Sequence, residues 1–233
     1  MELKDNLVIY SAIFGKYDTI HEPTCKVPYR MVLFTDMDIT SNTWEVVKVP
    51  SIYEDATRSA RKYKILPHRY FKDTKYSIWI DGNFNIINEN ISDLLKYVDG
   101  VNKFAACDHI HCYDKRDCIY DEFNIIMHFG GLNNNYKDNP ILMKNQIGRY
   151  AQEGYPAHNG LISSGILVRE HNDPICKSTM EMWWNELKFG SKRDQLSFNY
   201  VAWKNKMPFN YMPMDVRDNM YLKHTGEHSI KIK

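Results

Sequence analysis

Unbroken apolar runs of strand length alternate with helix-forming segments along this chain, and that alternation limits the folds open to it. The clearest runs are residues 7–13, 30–34 and 76–80, with further candidates at 44–49, 103–107 and 161–168. Strands that are buried on both faces of a parallel sheet have this composition. Strands alternating with helices predict an α/β fold, with a mostly parallel sheet flanked by helices.

Helices are predicted between these runs. The segments are 53–66, 92–97, 117–129, 138–151, 173–187 and 193–204. Asp173 followed by Pro174 is a typical helix start. No repeat, low-complexity tract or Pro/Gly/Ser-rich linker divides the 233 residues. We therefore expect a single domain, with an irregular tail from Asn205 onward.

Charge and cysteine content limit the binding partners and the cellular location that the sequence predicts. The chain has 30 basic and 29 acidic residues, without the basic excess typical of nucleic-acid binders. It has no 18-residue apolar stretch and no signal-like N-terminus, so no integral membrane segment is expected. Five cysteines without a CxxC pair predict free thiols and a cytoplasmic location. The Cys/His-containing stretch 107–112 has the wrong spacing for structural zinc, and the oligomeric state stays open.

Polar residues follow three of the predicted strands. They lie in the stretches 14–18 (FGKYD), 35–38 (TDMD) and 81–83 (DGN). Open α/β sheets bind ligands at the carboxyl ends of their strands, where such loops converge. The three stretches therefore predict one ligand site.

The turn Asp81-Gly82-Asn83 is the candidate metal site. A carboxylate and an amide oxygen suit Mn²⁺ or Mg²⁺, and the glycine lets a diphosphate approach the backbone. The alternative is a plain turn, because Asp-Gly is a favoured turn dipeptide. A late histidine could complete the site, and His224 is preferred over His228 for that role.

The helix that precedes this turn carries a basic face. Arg58, Arg61 and Lys62 are spaced to share one side of it, and Lys64 follows. Such a face can neutralise a diphosphate, or can simply be a solvated surface. Asp194 has two interpretations as well. It could cap the helix at 193–204, the favoured local reading, or it could orient an attacking hydroxyl.

Several of these stretches occur together, in the same order, in a known family. The matching blocks are 10–18, 34–36, 58–68, 79–83, 166–172, 184–186 and 193–198. The chain resembles a glycosyltransferase-like domain family, formerly of unknown function. It is shared by plant mucilage-related glycosyltransferases and by bacterial and viral polysaccharide-related proteins. The resemblance implies a GT-A-like (Rossmann-like) fold, a nucleotide-diphospho-sugar donor, and a glycan or other hydroxyl acceptor.

The resemblance also implies roles for individual residues. Donor binding would fall to Phe14, Gly15, Tyr17, Asp18, Asp36, Arg58, Arg61 and Lys64. Asp81, Asn83 and His224 would hold Mn²⁺ or Mg²⁺, and Asp194 and Gln195 would be catalytic. The acceptor side would include His111, Arg116, Glu122, Arg169, His171 and Trp184. Residues 1–110 would form the nucleotide-sugar half and residues 111–233 the acceptor and catalytic half.

Two other functions remain open at the level of sequence. A metal-dependent hydrolase or a nucleotidyltransferase could use the same carboxylates. An inactive carbohydrate- or nucleotide-binding domain is the other alternative, because Asn83 stands where related transferases carry a second Asp.

Overall fold

The computed structural model describes residues 2–226. The strands are β1 Leu7–Ile13, β2 Arg30–Thr35, β3 Glu45–Lys48, β4 Tyr76–Ile80, β5 Phe84–Ile86, β6 Phe104–Asp108, β7 Ile162–Arg169, β8 Asn210–Met212 and β9 Leu222–His224. The α-helices are α1 Leu3–Asn6, α2 Ala56–Ile65, α3 Ile119–Asn133, α4 Pro140–Gln152, α5 Pro174–Phe189 and α6 Phe198–Lys204. Short 3-10 helices span Pro67–Arg69, Glu89–Tyr97, His109–His111 and Asp194–Leu196.

Seven of the strands form one sheet in the order β3-β2-β1-β4-β7-β6-β8. Strand β7 runs antiparallel to both of its neighbours, and every other adjacent pair is parallel. All six strands predicted from the sequence lie in this sheet. The prediction of a mixed, mostly parallel sheet flanked by helices in a single domain is confirmed.

Because β7 runs antiparallel to β4, the first residues of β7, and not the last, lie near the carboxyl end of β4. Asp81, just after β4, donates its backbone N–H to the carbonyl of Gly165 at 2.9 Å. Arg169, at the other end of β7, pairs with Ser77 near the start of β4. The beginning of β7 therefore lies beside the carboxyl end of β4, and its last residue lies beside the start of β4.

The core has two parts, one on each face of the sheet. Tyr10 and Trp79 belong to the part covered by α2 and α5, and Ile9 and Ile78 belong to the other part. Successive residues of a strand point to opposite faces, so an unbroken apolar run can fill both. This explains why the predicted strands are continuous apolar runs in the sequence and not alternations of apolar and polar residues.

The structure differs from the sequence prediction mainly in the C-terminal segment. The expectation of an irregular tail was wrong for β8 and β9, three-residue strands too short for a periodic signal. Strand β9 pairs antiparallel with β5 and brings His224 opposite Phe84. The predicted helix at 193–204 is interrupted between Asp194–Leu196 and α6. Among residues 2–226, no helix is long and apolar enough to cross a membrane.

Candidate active site

Two acidic and two basic side chains meet at the carboxyl end of β4. Lys64 donates from Nζ to Asp81 Oδ1 at 2.9 Å and lies 2.8 Å from Asp194 Oδ2. Arg61, one turn earlier on α2, lies 3.4 Å from the same oxygen of Asp81 and 3.2 Å from that of Asp194. We call Arg61, Lys64, Asp81 and Asp194 the charge quartet. It joins α2, the turn after β4 and the segment before α6.

Neighbouring strands supply further donors to both carboxylates. The indole N–H of Trp79 donates to Asp81 Oδ1 at 2.7 Å, because residues two apart on a strand share a face. The hydroxyl of Ser164, on β7, donates to Asp194 Oδ2 at 2.9 Å. The two carboxylates are therefore held in place by fixed donors, and not only by long cationic side chains.

Burial and charge together keep Asp194 ionised. Its side chain is 1% exposed and that of Lys64 is 0% exposed. Burial alone would raise the pKa of Asp194, but Arg61 and Lys64 outweigh it and hold the pKa far below its usual range. Burial, helped by Arg61, lowers the pKa of Lys64, while Asp194 and Asp81 act in the opposite direction. The more open members are Asp81 at 26% and Arg61 at 16% exposure.

The loop after β1 closes against this site. Gly15 donates its N–H to Asp36 Oδ1 at 3.0 Å, so Asp36 holds the loop. Gly15 has a φ of 64°, and a Cβ there would lie 2.8 Å from the Cβ of Ala56. Both observations explain why this position is a glycine.

The same loop brings Tyr17 and Asp18 to the charge quartet. Burial and Asp18 raise the pKa of Tyr17, whereas Arg61 and Arg193 lower it, so the phenol lies within electrostatic range of both cations. A Cβ on Gly82 would lie 3.5 Å from Asp18 Oδ2. The loop after β1 and the turn after β4 thus form one surface, as the converging strand ends predicted.

The turn Asp81-Gly82-Asn83 meets strand β9. Asn83 Nδ2 lies 3.0 Å from Nε2 of His224, a residue 141 positions later in the chain. Rotation of the amide exchanges its nitrogen for its oxygen, so Asn83 can present a carbonyl oxygen beside the imidazole. Oδ1 of Asp81 already accepts from Lys64 and Trp79, so a cation would take Oδ2. Oxygen and imidazole ligands of this kind fit Mn²⁺, and His228 lies outside the described residues.

Asp194 does not cap the final helix, so the favoured local interpretation was wrong. Helix α6 begins at Phe198, and Asp194 lies in the preceding 3-10 helix with its side chain directed at Lys64. Gln195 donates from its side-chain amide to the carbonyl of Ile162 at 3.1 Å. The pair is thus anchored to the start of β7.

Two predicted donor-binding side chains lie away from the charge quartet. The Arg58 guanidinium donates to the backbone carbonyls of Leu187 and Gly190 and so joins α2 to the end of α5. Phe14 is 1% exposed and stacks on Tyr63 within the core. Neither side chain is brought to the site edge, and their donor roles stay predictions.

Three predicted acceptor-side residues are buried. Arg169 is the last residue of β7 and His171 follows it, at the end of the strand that lies away from the site. Arg169 donates to the Tyr10 hydroxyl at 2.6 Å, and Nε2 of His171 lies 2.7 Å from the carbonyl of Phe71. Trp184 is 4% exposed and packs within the core. The antiparallel direction of β7 carries Arg169 and His171 to the opposite end of the strands. Arg169 still contacts the backbone of one quartet residue, because it donates to the carbonyl of Lys64 at 2.9 Å, whereas the charged ends of the quartet lie at the carboxyl end of β4.

The other predicted acceptor-side residues lie nearer. Arg116 donates from Nε to Glu122 Oε2 at 2.7 Å, and Arg193 reaches the other oxygen of Glu122 at 3.5 Å. Since Arg193 directly precedes Asp194, this ion-pair chain borders the charge quartet. His111 is exposed, in the 3-10 helix that follows β6.

Sequence reasoning missed three residues that shape the site, namely Trp79, Ser164 and Arg193. Ser164 had a usable signal, because Ser163-Ser164-Gly165 interrupts an otherwise apolar buried strand. A polar side chain inside a fully buried strand needs a partner, which here is Asp194. Trp79 and Arg193 fall within the blocks that carry the family resemblance, but their local patterns did not indicate a role at the site.

Residues 1–228 match the family described as TOD1/MUCI70, glycosyltransferase-like domain. The chain belongs to this family. A relative from Arabidopsis thaliana, "Probable hexosyltransferase MUCI70", is 25% identical over 232 residues. That match covers 86% of this chain and 38% of the relative, so this TOD1/MUCI70 chain spans well under half of the plant protein.

Solved glycosyltransferases resemble the TOD1/MUCI70 chain distantly. Mouse xyloside xylosyltransferase 1, in its apo form, superposes with a TM-score of 0.44 at 9% identity, covering 89% of this chain and 84% of that one. The apo structure of the bifunctional glycosyltransferase WbbM gives a TM-score of 0.46 at 12% identity, covering 84% and 37%.

Proposed function

We propose that this chain transfers a sugar from a nucleotide-diphospho-sugar to a hydroxyl group of a glycan or other acceptor, assisted by Mn²⁺ or Mg²⁺. The charge quartet carries the proposal. It combines two fixed carboxylates with two cations beside a turn that can bind a metal, at the edge where open α/β sheets bind ligands. Family membership supports the same reaction class.

The members of the charge quartet suit different parts of the reaction. Asp194 stays negative at neutral pH and is held by Lys64 and Ser164. A fixed negative charge stabilises the positive charge that develops at the anomeric carbon as the bond to the diphosphate breaks. Lys64 is fully buried, so we assign it to holding the carboxylates, whereas Arg61 is exposed enough to contact a diphosphate.

A divalent cation would be held by Asp81, Asn83 and His224. Its chemistry would be to neutralise the diphosphate leaving group. In the transfer, the bond from the anomeric carbon to the diphosphate oxygen breaks and its electron pair leaves with the nucleoside diphosphate. The acceptor oxygen bonds to the anomeric carbon and its proton is released. Tyr17, Asp18 and the backbone near Gly15 would line the donor side.

The first test is donor binding and turnover by the purified chain. Calorimetry with UDP, GDP and CMP, each with and without Mn²⁺, identifies the nucleotide, and product analysis then follows release of that nucleotide from the matching sugar donor. Asp81→Asn should lower turnover at least about 100-fold, because it removes a charge from the metal site. Asp93→Asn, at an exposed aspartate in the 3-10 helix Glu89–Tyr97, is the matched control and should leave turnover unchanged. Full activity of Asp81→Asn would refute the metal-turn assignment.

The same experiments separate the alternatives. Release of free phosphate or pyrophosphate would identify a hydrolase or a nucleotidyltransferase. Binding of a nucleotide without turnover in the presence of acceptor glycans would identify a binding domain. His224→Ala should weaken Mn²⁺-dependent nucleotide binding about tenfold or more, whereas Lys223→Ala, the exposed neighbour on β9, should not.

A further inference from the structure

We propose that Cys118, Asp121 and His158 form a zinc site that is separate from the charge quartet. Within residues 2–226, these three side chains are the one His/Cys/Asp/Glu group close enough to share an ion, with one ligand atom of each lying within 4.8 Å of the others. A thiolate, a carboxylate and an imidazole together suit Zn²⁺ rather than Mg²⁺ or Ca²⁺. The inference goes beyond the proposed sugar transfer and does not depend on it.

Two of the ligands come from the first turn of α3. Cys118 is the N-cap residue and Asp121 lies three positions later, a spacing that places both side chains on one side of the helix. The Cys118 side chain makes no capping hydrogen bond, so its sulfur is not committed to the helix end.

The third ligand comes from the loop between α4 and β7. His158 has a φ of 53°, a left-handed conformation that few residues other than glycine adopt. A 2.8 Å contact joins its Nδ1 to Oδ1 of Asp117. A carboxylate on the imidazole is the usual companion of a metal-bound histidine, because it fixes the ring orientation.

The three ligand atoms need to move only slightly closer together to bind one ion. Ligand atoms around a tetrahedral Zn²⁺ are about 3.3–3.8 Å apart, so a group whose ligand atoms lie within 4.8 Å of one another needs to contract by at most about 1.5 Å. Cys118 is 2% exposed, whereas the His158 side chain is 64% exposed and can move. The open side leaves a fourth position for water or for another ligand.

A bound ion would hold the loop that precedes β7 against the start of α3. The same two segments are already joined by the Tyr120 hydroxyl, which donates to the carbonyl of Tyr155 at 2.7 Å. Strand β7 follows directly and carries Ser164, which holds Asp194. The zinc site would thus be a structural clamp that holds the loop before β7 against the start of α3.

The decisive experiment is metal titration of the full chain after chelation. Co²⁺ in place of Zn²⁺ should produce a thiolate-to-cobalt charge-transfer band at one equivalent. The band should disappear in Cys118→Ser and persist in Cys25→Ser, the half-buried control cysteine. Zn²⁺ affinity should fall about tenfold or more in His158→Ala, and about 10- to 100-fold in Asp117→Asn. His128→Ala, at an exposed histidine on α3, should not change it.

Specific outcomes of the titration would overturn the zinc proposal. No thiolate band in the native chain, or a band that survives Cys118→Ser, would overturn the proposal. So would an equal loss in His128→Ala and His158→Ala, since that would indicate nonspecific surface binding. The exposed positions His158 and Asp117 keep the test valid even if Cys118→Ser folds poorly. No arm measures sugar transfer, so failure here is distinct from failure of the proposed function.

Discussion

Lys64 has an environment in which a lysine is rarely found. Its ammonium group is fully buried and shared between Asp81, Asp194 and the hydroxyl of Ser164. A lone buried charge is expensive, but one that contacts two carboxylates is compensated. Removing a single partner of such a cluster should therefore cost more than removing the whole charged pair.

Replacement of Lys64 tests this expectation. Lys64→Met should lower the free energy of unfolding by about 3–5 kcal/mol, because Asp194 is left buried without its nearest cation. The double variant Lys64→Met, Asp194→Leu should recover much of that loss while remaining inactive. Urea unfolding measures both. Glu45→Ala, which breaks the exposed pair with Arg30, is the control and should cost at most about 1 kcal/mol. Equal losses of unfolding free energy in Lys64→Met and Glu45→Ala would contradict the argument.

Asp194 makes stability depend on pH in a predictable direction. Its folded pKa lies below the unfolded value of about 3.9, so the folded state binds fewer protons. Its contribution is therefore complete above about pH 5 and is lost as pH falls toward the folded pKa. The difference in unfolding free energy between the native chain and Asp194→Asn should shrink between pH 7 and about pH 3. A difference that is constant over this range would show that the carboxylate is not specifically stabilised.

At the scale of single elements, strand β7 connects the sheet to the site. Ser164 donates to Asp194, whereas Ser77 on the neighbouring strand β4 has a buried hydroxyl with no hydrogen-bond partner among the described residues. The two serines are matched in burial and strand context but differ in what they bond. Their alanine variants should therefore differ in effect.

Ser164→Ala should cost about 1.5–3 kcal/mol, because the hydrogen bond it removes is made to a charged group. Ser77→Ala should cost nothing measurable, since no bond is lost. Thermal or urea unfolding compares the two directly. A larger loss in Ser77→Ala than in Ser164→Ala would show that packing, and not the contact with Asp194, sets the cost at these positions.

The elements also show how far the sequence could predict the structure. Strand β1 and strand β4 were predicted with the observed bounds, because buried parallel strands are unbroken apolar runs. The three-residue strands β5 and β9 were missed, because a pattern of period two cannot be detected over three residues. Without those strands, the 3.0 Å approach of Asn83 to His224 could not follow from local patterns.

The sequence predicted only part of the site, because some of its residues are brought together by tertiary pairing and not by local pattern. Which strand ends carry polar residues can be read locally, so the turn at Asp81 and the loop at Gly15 were predicted together. The direction of β7 is set by tertiary pairing and has no local signature. That direction places Ser164 beside the carboxylate of Asp194, and it leaves Arg169 in contact with the backbone carbonyl of Lys64 and not with the carboxylates.

On the scale of the whole molecule, one sheet runs through both halves of the chain. Strand β4 from the first half pairs with β7 from the second, and the core on each face draws on both halves. The division at residue 110 into donor and acceptor halves stays a functional prediction. Neither half could bury its share of the sheet without the other.

Unfolding should therefore be a single cooperative transition. Trp44 lies in the core on one face of the sheet, and Trp79 and Trp183 lie in the core on the other, so tryptophan fluorescence reports on both faces. Fluorescence and far-ultraviolet circular dichroism should give the same urea midpoint, and Trp44→Phe should leave that agreement unchanged. Two separated midpoints would show that the halves unfold independently.

The reversal of β7 also affects how proteins of this architecture can diversify. In a fully parallel sheet, new specificity arises in the loops that leave the strands. Here the loop that enters β7, at residues 153–161, shares an edge with Asp81 and Asp194, because Asp81 bonds the start of that strand. We therefore expect that lengthening or exchanging this entry loop would reshape the surface beside Asp194 without disturbing the loops that follow β1 and β4. Inserted residues in this segment should alter that surface while leaving the sheet intact.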